Sequence, residues 1–534
     1  MSWVPEIPYE PTMPAVVRRA VEEFGDADFI VLPDRRITFR EAEVASRQLA
    51  KELLAAGVGK GSRVGIHLPT GPEWAVAWMA ATRIGALTMP FSTLYRPAEL
   101  RKAMRIGDVA VLLSSTTMLG KDHESYLEEA IPGLESSSGG PLRLPELPYL
   151  RSVRLLAPTG RRWADVSELS TSDTHDVDGI DDSLLAAVER EVTPADLMLV
   201  VFTSGTTAEP KGVIHTQGAV LRKTAPVVGA GMDASFPGRP LSYMPFFWIG
   251  GIQSVAGALQ SGAAVLTLER LDPMAALELA KREQATSING NATTLQALMS
   301  SSDAAAFSHL KLTMSGLSGP HLPKRPWEGD PSSKGDQPTA LGMTETMGAW
   351  AGIDGFDCRV VDPDTGKEVA PDQEGEFFVR GYSLMEGLYK REREDVFTPD
   401  GFFATGDIGY LENGLVYFRG RRTHMIKSKG ANIAPAEVEA VLNASPDVKV
   451  SFVVGLPHDD YGEEVAAALV PEPGHVIDVD RLLQEARSML SSYKVPTFVE
   501  VVRDEDITWL PSSKVDTRAV ARLLDRARQA KVRG

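Results

Sequence analysis

Cysteine is nearly absent from this chain: Cys358 is the single one in 534 residues. That excludes an internal disulfide and a cysteine-ligated metal cluster, and sparing use of thiols fits a reducing compartment. Long apolar runs are missing too, and none reaches the roughly 20 residues a membrane-spanning helix needs. The opening stretch, MSWVPEIPYEPTMP, has neither basic residues nor an apolar core, so no secretory signal is expected. Positive charge is in deficit. Lys and Arg number 55 against 72 Asp and Glu, a formal net charge of -17. A general nucleic-acid binder needs a basic footprint and is excluded on that ground, whereas a local basic pocket for a nucleotide is not. These absences predict a cytoplasmic protein without a nucleic-acid partner. Peripheral contact with a membrane surface and a homodimer stay open.

What is present is ordinary for a folded protein: 43% hydrophobic and 24% charged residues. The length exceeds what one core supports, so two or more domains are expected. Residues 37–90 alternate helix and strand signals. Thr38 and Glu41 form a capping-box pattern, a helix is predicted from Ala42 to Ala56, and Gly57 and Gly59 end it. A strand at Arg63–Leu68, a helix at Glu73–Ile84 and a strand at Val109–Leu113 continue the alternation, which recurs over Leu241–Asn291. Repeated β-α units imply a parallel sheet covered by helices. Residues 116–195, with SSSGGP, several prolines and an acidic stretch, read as a surface excursion. After Phe356, short strands between turn signals predict a small antiparallel β-unit. From Thr423 onward a compact α+β unit is expected. Its helices fall at 435–442, at 480–490 and from 517, and its strands at 449–455 and 464–470.

The densest chemical signal is FTSGTTAEPKGV at 202–213. The apolar run Leu197–Phe202 predicts a buried strand that feeds a turn carrying Thr203, Ser204, Gly205, Thr206, Thr207 and then Lys211. Exposed backbone N–H groups and hydroxyls donate to phosphate oxygens, and one lysine adds a point charge. The Walker arrangement does not apply, because a proline precedes the lysine and no helix pattern follows at once. A polar surface loop is the plainer alternative.

In order and spacing the string resembles the phosphate-binding signature of the adenylate-forming enzymes, which include acyl-CoA synthetases, aryl-CoA ligases, firefly luciferase and peptide-synthetase adenylation domains. Further motifs carry the same resemblance. In TALGMTET, at 339–346, Gly342, Thr344 and Glu345 match, while Leu341 stands where an aromatic residue stacks on adenine. A plain apolar contact there is weaker by about 1 kcal/mol. The resemblance implies that Thr344 contacts the α-phosphate and that Glu345 holds Mg2+; a helix cap is the plainer reading of the same residues. Ser318 and Gly319 match a small-residue turn beside adenine, and Thr405-Gly406-Asp407 matches an element whose carboxylate takes the ribose hydroxyls. Arg421 matches a ribose- and phosphate-binding arginine. Thr423 falls at the family's hinge, where Asp or Lys is usual. Ser428, Lys429 and Gly430 match the loop that closes the thiol-entry tunnel for coenzyme A. Lys514, in PSSKV, matches the catalytic lysine, with Ser513 in place of a glycine.

The implied fold is α/β. Residues 1–420 form a large N-terminal domain of two αβαβα-type subdomains plus a small β-barrel, followed by a small mobile α+β cap, 421–534, hinged near Thr423. The acyl pocket would involve Phe247 and Trp248, where the family often has Phe-His, with Gly250, Gly251, Met314 and Met343. No aspartate stands there to bind an α-amino group, so an amino-acid-activating domain is disfavoured. The implied partners are a small-molecule carboxylic acid, ATP with Mg2+, and coenzyme A. The acid is a medium- or long-chain fatty acid or an alicyclic acid such as a steroid side-chain carboxylate. An acyl-AMP ligase that loads a carrier protein, a nucleotide-binding homologue without catalysis and a luciferase-type oxygenase are the alternatives.

Overall fold

The computed structural model describes residues 4–172, 175–203, 210–225, 238–270, 272–290, 311–314, 341–351, 355–370, 372–421, 425–429, 431–508 and 515–533. The chain divides into two compact units. One comprises Met1–Thr93, Ala103–Phe202 and Gly212–Gly420; the other comprises Leu94–Lys102, Thr203–Lys211 and Arg421–Gly534.

The first unit is built on two sheets. Eight strands run in the order Gly387–Leu388, Lys211–Thr216, Leu197–Thr203, Leu87–Pro90, Arg63–His67, Val111–Ser114, Ser152–Leu155 and Ala164–Val166. Every pairing between Leu87–Pro90 and Ala164–Val166 in that order is parallel. A six-stranded sheet runs Lys311–Met314, Ser287–Gly290, Pro240–Ser242, Val265–Leu266, Asp28–Val31 and Arg36–Thr38. One core cluster takes residues from both sheets and from the helices between them. The helix Pro72–Arg83 shows why. Its sequence PEWAVAWMAATR has no polar face, so it is stable only when covered on all sides, and Trp74 and Trp78 are fully buried. Its last residue, Arg83, is buried with Glu43 and Glu189 at 3.2 and 2.5 Å. The predicted capping box forms: the Thr38 side chain accepts from Glu41 N, and Glu41 returns a bond to Thr38 N.

The surface-excursion reading of 116–195 is corrected. Ser152–Leu155 and Ala164–Val166 extend the eight-stranded sheet, and Leu142, Leu144, Leu147, Leu150 and Trp163 are buried beneath it. Strands of three or four residues in proline- and glycine-rich surroundings carry too little alternation to be read from sequence. Past Phe356 the expected antiparallel unit is a four-stranded sheet in the order Phe356–Val361, Gly375–Gly381, Phe403–Glu412 and Leu415–Arg421.

The second unit centres on the antiparallel pair Val448–His458 and Gly462–Pro471. Side-chain alternation splits it cleanly. Val453, Val465, Ala467 and Leu469 face the helices Pro435–Leu442 and Val479–Met489. Phe452, Val454, Ala466, Ala468 and Val470 face Val520 and Leu524 of the helix Thr517–Arg533. Among the described residues no helix is long and apolar enough to cross a membrane.

In the first unit His67 and His123 are both buried, with ring nitrogens 3.2 Å apart. Burial and the facing imidazole of His123 hold the His67 pKa well below its usual 6.5. Burial lowers His123 to about 4, against a weaker opposing pull from Asp122. The unfolded chain therefore takes up protons below pH 6.5 that the folded chain refuses. Stability from this pair is full above pH 6.5 and falls as pH drops toward 4. Urea midpoints measured across that range are expected to decline as the pH falls, and a flat profile would refute it.

Candidate active site

The strand Lys211–Thr216 leaves the phosphate-loop motif and is locked on both sides. Gly212 allows close packing, since a Cβ there would meet Val200 Cγ1 at 2.8 Å. Val213 and Ile214 pair with Leu388 and Gly387. Thr203 ends the preceding strand and is half-buried, as is Lys211. Ser204, Gly205, Thr206 and Thr207 lie outside the described residues.

Two positions after Val213, on the same strand, His215 is fully buried, and its Nε2 donates to the carbonyl of Thr344 over 2.7 Å. The acceptor has no proton, so Nε2 carries the hydrogen. Burial brings the pKa down to about 4, with the Thr344 carbonyl opposing. The imidazole is therefore neutral at pH 7 and fixed in one tautomer. This bond joins the strand residues that follow the phosphate motif to the turn Thr344–Thr346, both in the first unit.

Residues 342–349, which include the GMTET part of the motif, form a tight hairpin. Gly342–Met343 pairs with Gly348–Ala349 around a single 3-10 turn, Thr344–Thr346. Gly342 is required by backbone approach, since a Cβ would lie 2.7 Å from Ala349 N. Leu341 is half-buried against the cluster of Trp350, Phe377 and Val379, and the Trp350 and Phe377 rings are 5.7 Å apart. The Thr405-Gly406-Asp407 element meets the same cluster: Thr405 Oγ1 donates to Phe377 O at 2.9 Å. Gly406 has φ +75, at a shift in strand register, and its N–H donates to Glu376 Oε1 at 2.9 Å. That register shift seats the buried Asp407. Residues 212–216, the 342–349 hairpin and Asp407 thus belong to the first unit.

The aromatic segment is a helix start. Phe247 is buried, Trp248 is half-buried, and their rings meet edge-on at 5.5 Å. Trp248 occupies the N-cap position of the helix Ile249–Ser261. Gly250 and Gly251, expected in the acyl pocket, lie in the first turn of that helix, where close packing leaves no room for a side chain. A Cβ on Gly251 would lie 2.1 Å from Pro245 O, and one on Gly250 would lie 2.7 Å from Met244 Cε. Met343 is half-buried in the hairpin, and Met314 ends the strand Lys311–Met314. Ser318 and Gly319 lie outside the described residues.

In the second unit the expected thiol-tunnel loop is a β-hairpin, Ile426–Ser428 with Ala431–Ile433. Ser428 is buried. Lys429 turns the chain at φ +52 and places its ammonium 4.4 Å from the Tyr461 ring centre, a cation–π contact. Arg421 ends the strand Leu415–Arg421. Thr423, Gly430 and Lys514 lie outside the described residues.

The chain matches the AMP-binding enzyme family over residues 17–389 and the AMP-binding enzyme C-terminal domain over 437–511. It belongs to the AMP-binding enzyme family. Among its relatives, a CoA ligase of Mycobacterium tuberculosis acts on a propanoyl group carried by a methyl-dioxo-octahydroindene. It is 29% identical over 509 residues, covering 92% of this chain and 95% of the relative. A long-chain-fatty-acid–CoA ligase of Bacillus subtilis is 25% identical over 548 residues, covering 97% and 96%. In fold, the chain is similar to the amide bond synthetase McbA of Marinactinospora thermotolerans, with TM-score 0.75, 24% identity, and coverage of 95% and 99%.

Within this AMP-binding enzyme fold, a single carboxylate, Glu345, stands next to the Thr344 hydroxyl. One carboxylate beside a hydroxyl is a donor set that would suit a hard cation such as Mg2+. Among the described residues no cluster of three or more His, Cys, Asp or Glu forms a caged metal site. Sequence reasoning missed His215, Lys223, Gln253 and Ser383, which all bond the hairpin's backbone. The one available signal was a histidine inside the alternating strand that follows the phosphate motif.

Proposed function

We propose that the chain is an ATP-dependent acid–CoA ligase that activates a hydrophobic carboxylic acid through an acyl-adenylate. The observation that carries this reading is the His215–Thr344 bond, which ties the strand leaving the phosphate loop to the Thr344-Glu345 turn. In the first step a carboxylate oxygen attacks the α-phosphorus of ATP, and the bond to pyrophosphate breaks. Thr203, Ser204, Thr206, Thr207 and Lys211 hold the phosphates, Thr344 orients the α-phosphate, and Asp407 with Arg421 takes the ribose. Mg2+, held by Glu345, would neutralise phosphate charge. In the second step the coenzyme A thiolate attacks the acyl carbon, the bond to AMP breaks, and the thiol proton leaves to solvent. The cap, residues 421–534, turns about Thr423 between steps, withdraws Lys514 and brings in Ser428, Lys429 and Gly430. Positioning and charge stabilisation supply most of the rate.

The acid class we favour is a medium- or long-chain fatty acid or an alicyclic, steroid-type side-chain acid. Phe247 and Trp248 offer aromatic surface, no aspartate stands in that segment, and relatives act on acids of both kinds. The test is mass spectrometry of the protein with Mg-ATP, coenzyme A and a panel of aliphatic, aromatic and steroidal acids. An acyl-CoA of an aliphatic or steroidal acid is expected. Acyl-AMP without thioester would point to another acceptor, such as a carrier protein. Neither product from any acid would overturn the reading in favour of a nucleotide binder without catalysis.

A further inference from the structure

The turn that carries Thr344 and Glu345 is held through its own backbone to an unusual degree. Each of six consecutive carbonyls accepts a hydrogen bond. Thr344 O takes His215 Nε2 at 2.7 Å, Glu345 O takes Met385 N at 2.7 Å, and Thr346 O takes Ser383 Oγ at 3.1 Å. Met347 O takes Gln253 Nε2 at 2.8 Å, Gly348 O takes Thr346 Oγ1 at 2.6 Å, and Ala349 O takes Lys223 Nζ at 2.5 Å. Four of these donors are side chains from outside the hairpin.

The turn needs such restraint. Met347 sits at φ +55 and Gly348 at φ +100. A left-handed, non-glycine residue costs about 1–3 kcal/mol and persists only where its surroundings over-determine it. A Cβ on Gly348 would lie 2.4 Å from Gln253 Nε2, so the amide is seated tightly against the turn. Lys223 is nearly buried, with its ammonium 5.0 Å from the Phe356 ring centre and 5.7 Å from that of Tyr382. His215 and Lys223 lie on the strand Lys211–Thr216 and on the helix Gln217–Thr224 directly after it. The lysine of the phosphate motif therefore begins the segment whose later residues grip the turn.

We propose that His215, supported by Lys223, Gln253 and Ser383, is a positioning residue. It holds the Thr344-Glu345 turn in register with residues 212–216 of the same unit, so that the turn is preorganised for the nucleotide. The inference rests on the reading of this site as the ATP site. None of the four side chains touches substrate in this account; they act through the backbone they restrain.

The experiment compares wild type, His215→Gln, His215→Leu and Ser383→Ala in the full-length protein. Amide hydrogen exchange over 341–351 is measured without nucleotide or metal, and affinity is measured for AMP in chelator and for Mg-ATP. Glutamine keeps an N–H donor near the Nε2 position; leucine does not. Removing the donor cuts the Thr344 carbonyl from the neighbouring strand and leaves it only the local Met347 N–H at 3.1 Å, so exchange in the turn is expected to quicken and Mg-ATP binding to weaken by about tenfold or more in His215→Leu. His215→Gln is expected to stay within about threefold of wild type, and Ser383→Ala to fall between. If His215→Leu does not fold, Ser383→Ala against wild type carries the test. Wild-type exchange and affinity in the leucine variant would overturn the inference, as would equal damage from glutamine and leucine, or an unchanged Ser383→Ala where leucine fails to fold. A wild type that binds neither AMP nor Mg-ATP would instead overturn the nucleotide-site reading itself.

Discussion

Replacing Lys514 with alanine is expected to slow acyl-AMP formation by about 10²–10³-fold, the usual loss when one preorganised charge-stabilising donor is removed. The proposed role explains the size. Negative charge grows between the carboxylate, the α-phosphate and the ribose during attack, and one ammonium answers it. In the proposed cycle the cap withdraws Lys514 before the thiol enters, so thioester formation from supplied acyl-AMP is expected to stay within about threefold of wild type. The two half-reactions are separable by stopped assays: pyrophosphate release for the first, and thioester appearance from acyl-AMP for the second. Equal loss in both would remove Lys514 from the adenylation step.

A second large effect is expected at Lys494, in the other unit. Its ammonium lies 2.7 Å from both Glu99 Oε1 and Glu437 Oε1, and the three side chains are 6%, 10% and 18% exposed. Glu99 also accepts from Ser491 Oγ at 2.6 Å. Burial alone would discourage the charge on Lys494, but Tyr493, Glu99 and Glu437 outweigh it, and the ammonium is held above its ordinary pKa. Lys494→Met removes the cation and leaves two buried carboxylates facing each other. Breaking a buried ion pair from one side typically costs about 3–5 kcal/mol. Denaturant unfolding of the unit holding 421–534 is expected to shift by that amount, and adding Glu99→Gln and Glu437→Gln is expected to recover most of it. A shift of about 0.5 kcal/mol or less would mark Lys494 as an ordinary surface lysine.

Where sequence was informative, the reason was local physics. The Thr38–Glu41 capping box, the apolar strand before the phosphate motif and the alternating strands at 448–471 each depend on neighbours a few residues away. Where it failed, the deciding contact was distant or the element short. His215 bonds a carbonyl 129 positions along the chain, and nothing in KGVIHT announces that partner. The strands Ser152–Leu155 and Ala164–Val166 owe their existence to a sheet edge already built by Val111–Ser114. Gly250 and Gly251 carry no sign in sequence of the Pro245 carbonyl and Met244 side chain that crowd them. The Ser428–Lys429 segment read as a loop because two three-residue strands leave no periodic trace.

The central claim is that the acid's own oxygen attacks the α-phosphorus and leaves on AMP. The most direct test supplies the best acid of the panel, labelled with heavy oxygen in its carboxyl group, together with Mg-ATP and coenzyme A, and weighs the released AMP. An acyl-adenylate route predicts AMP that carries one labelled oxygen beside an acyl-CoA product. Unlabelled AMP, or ADP and phosphate in its place, would contradict it.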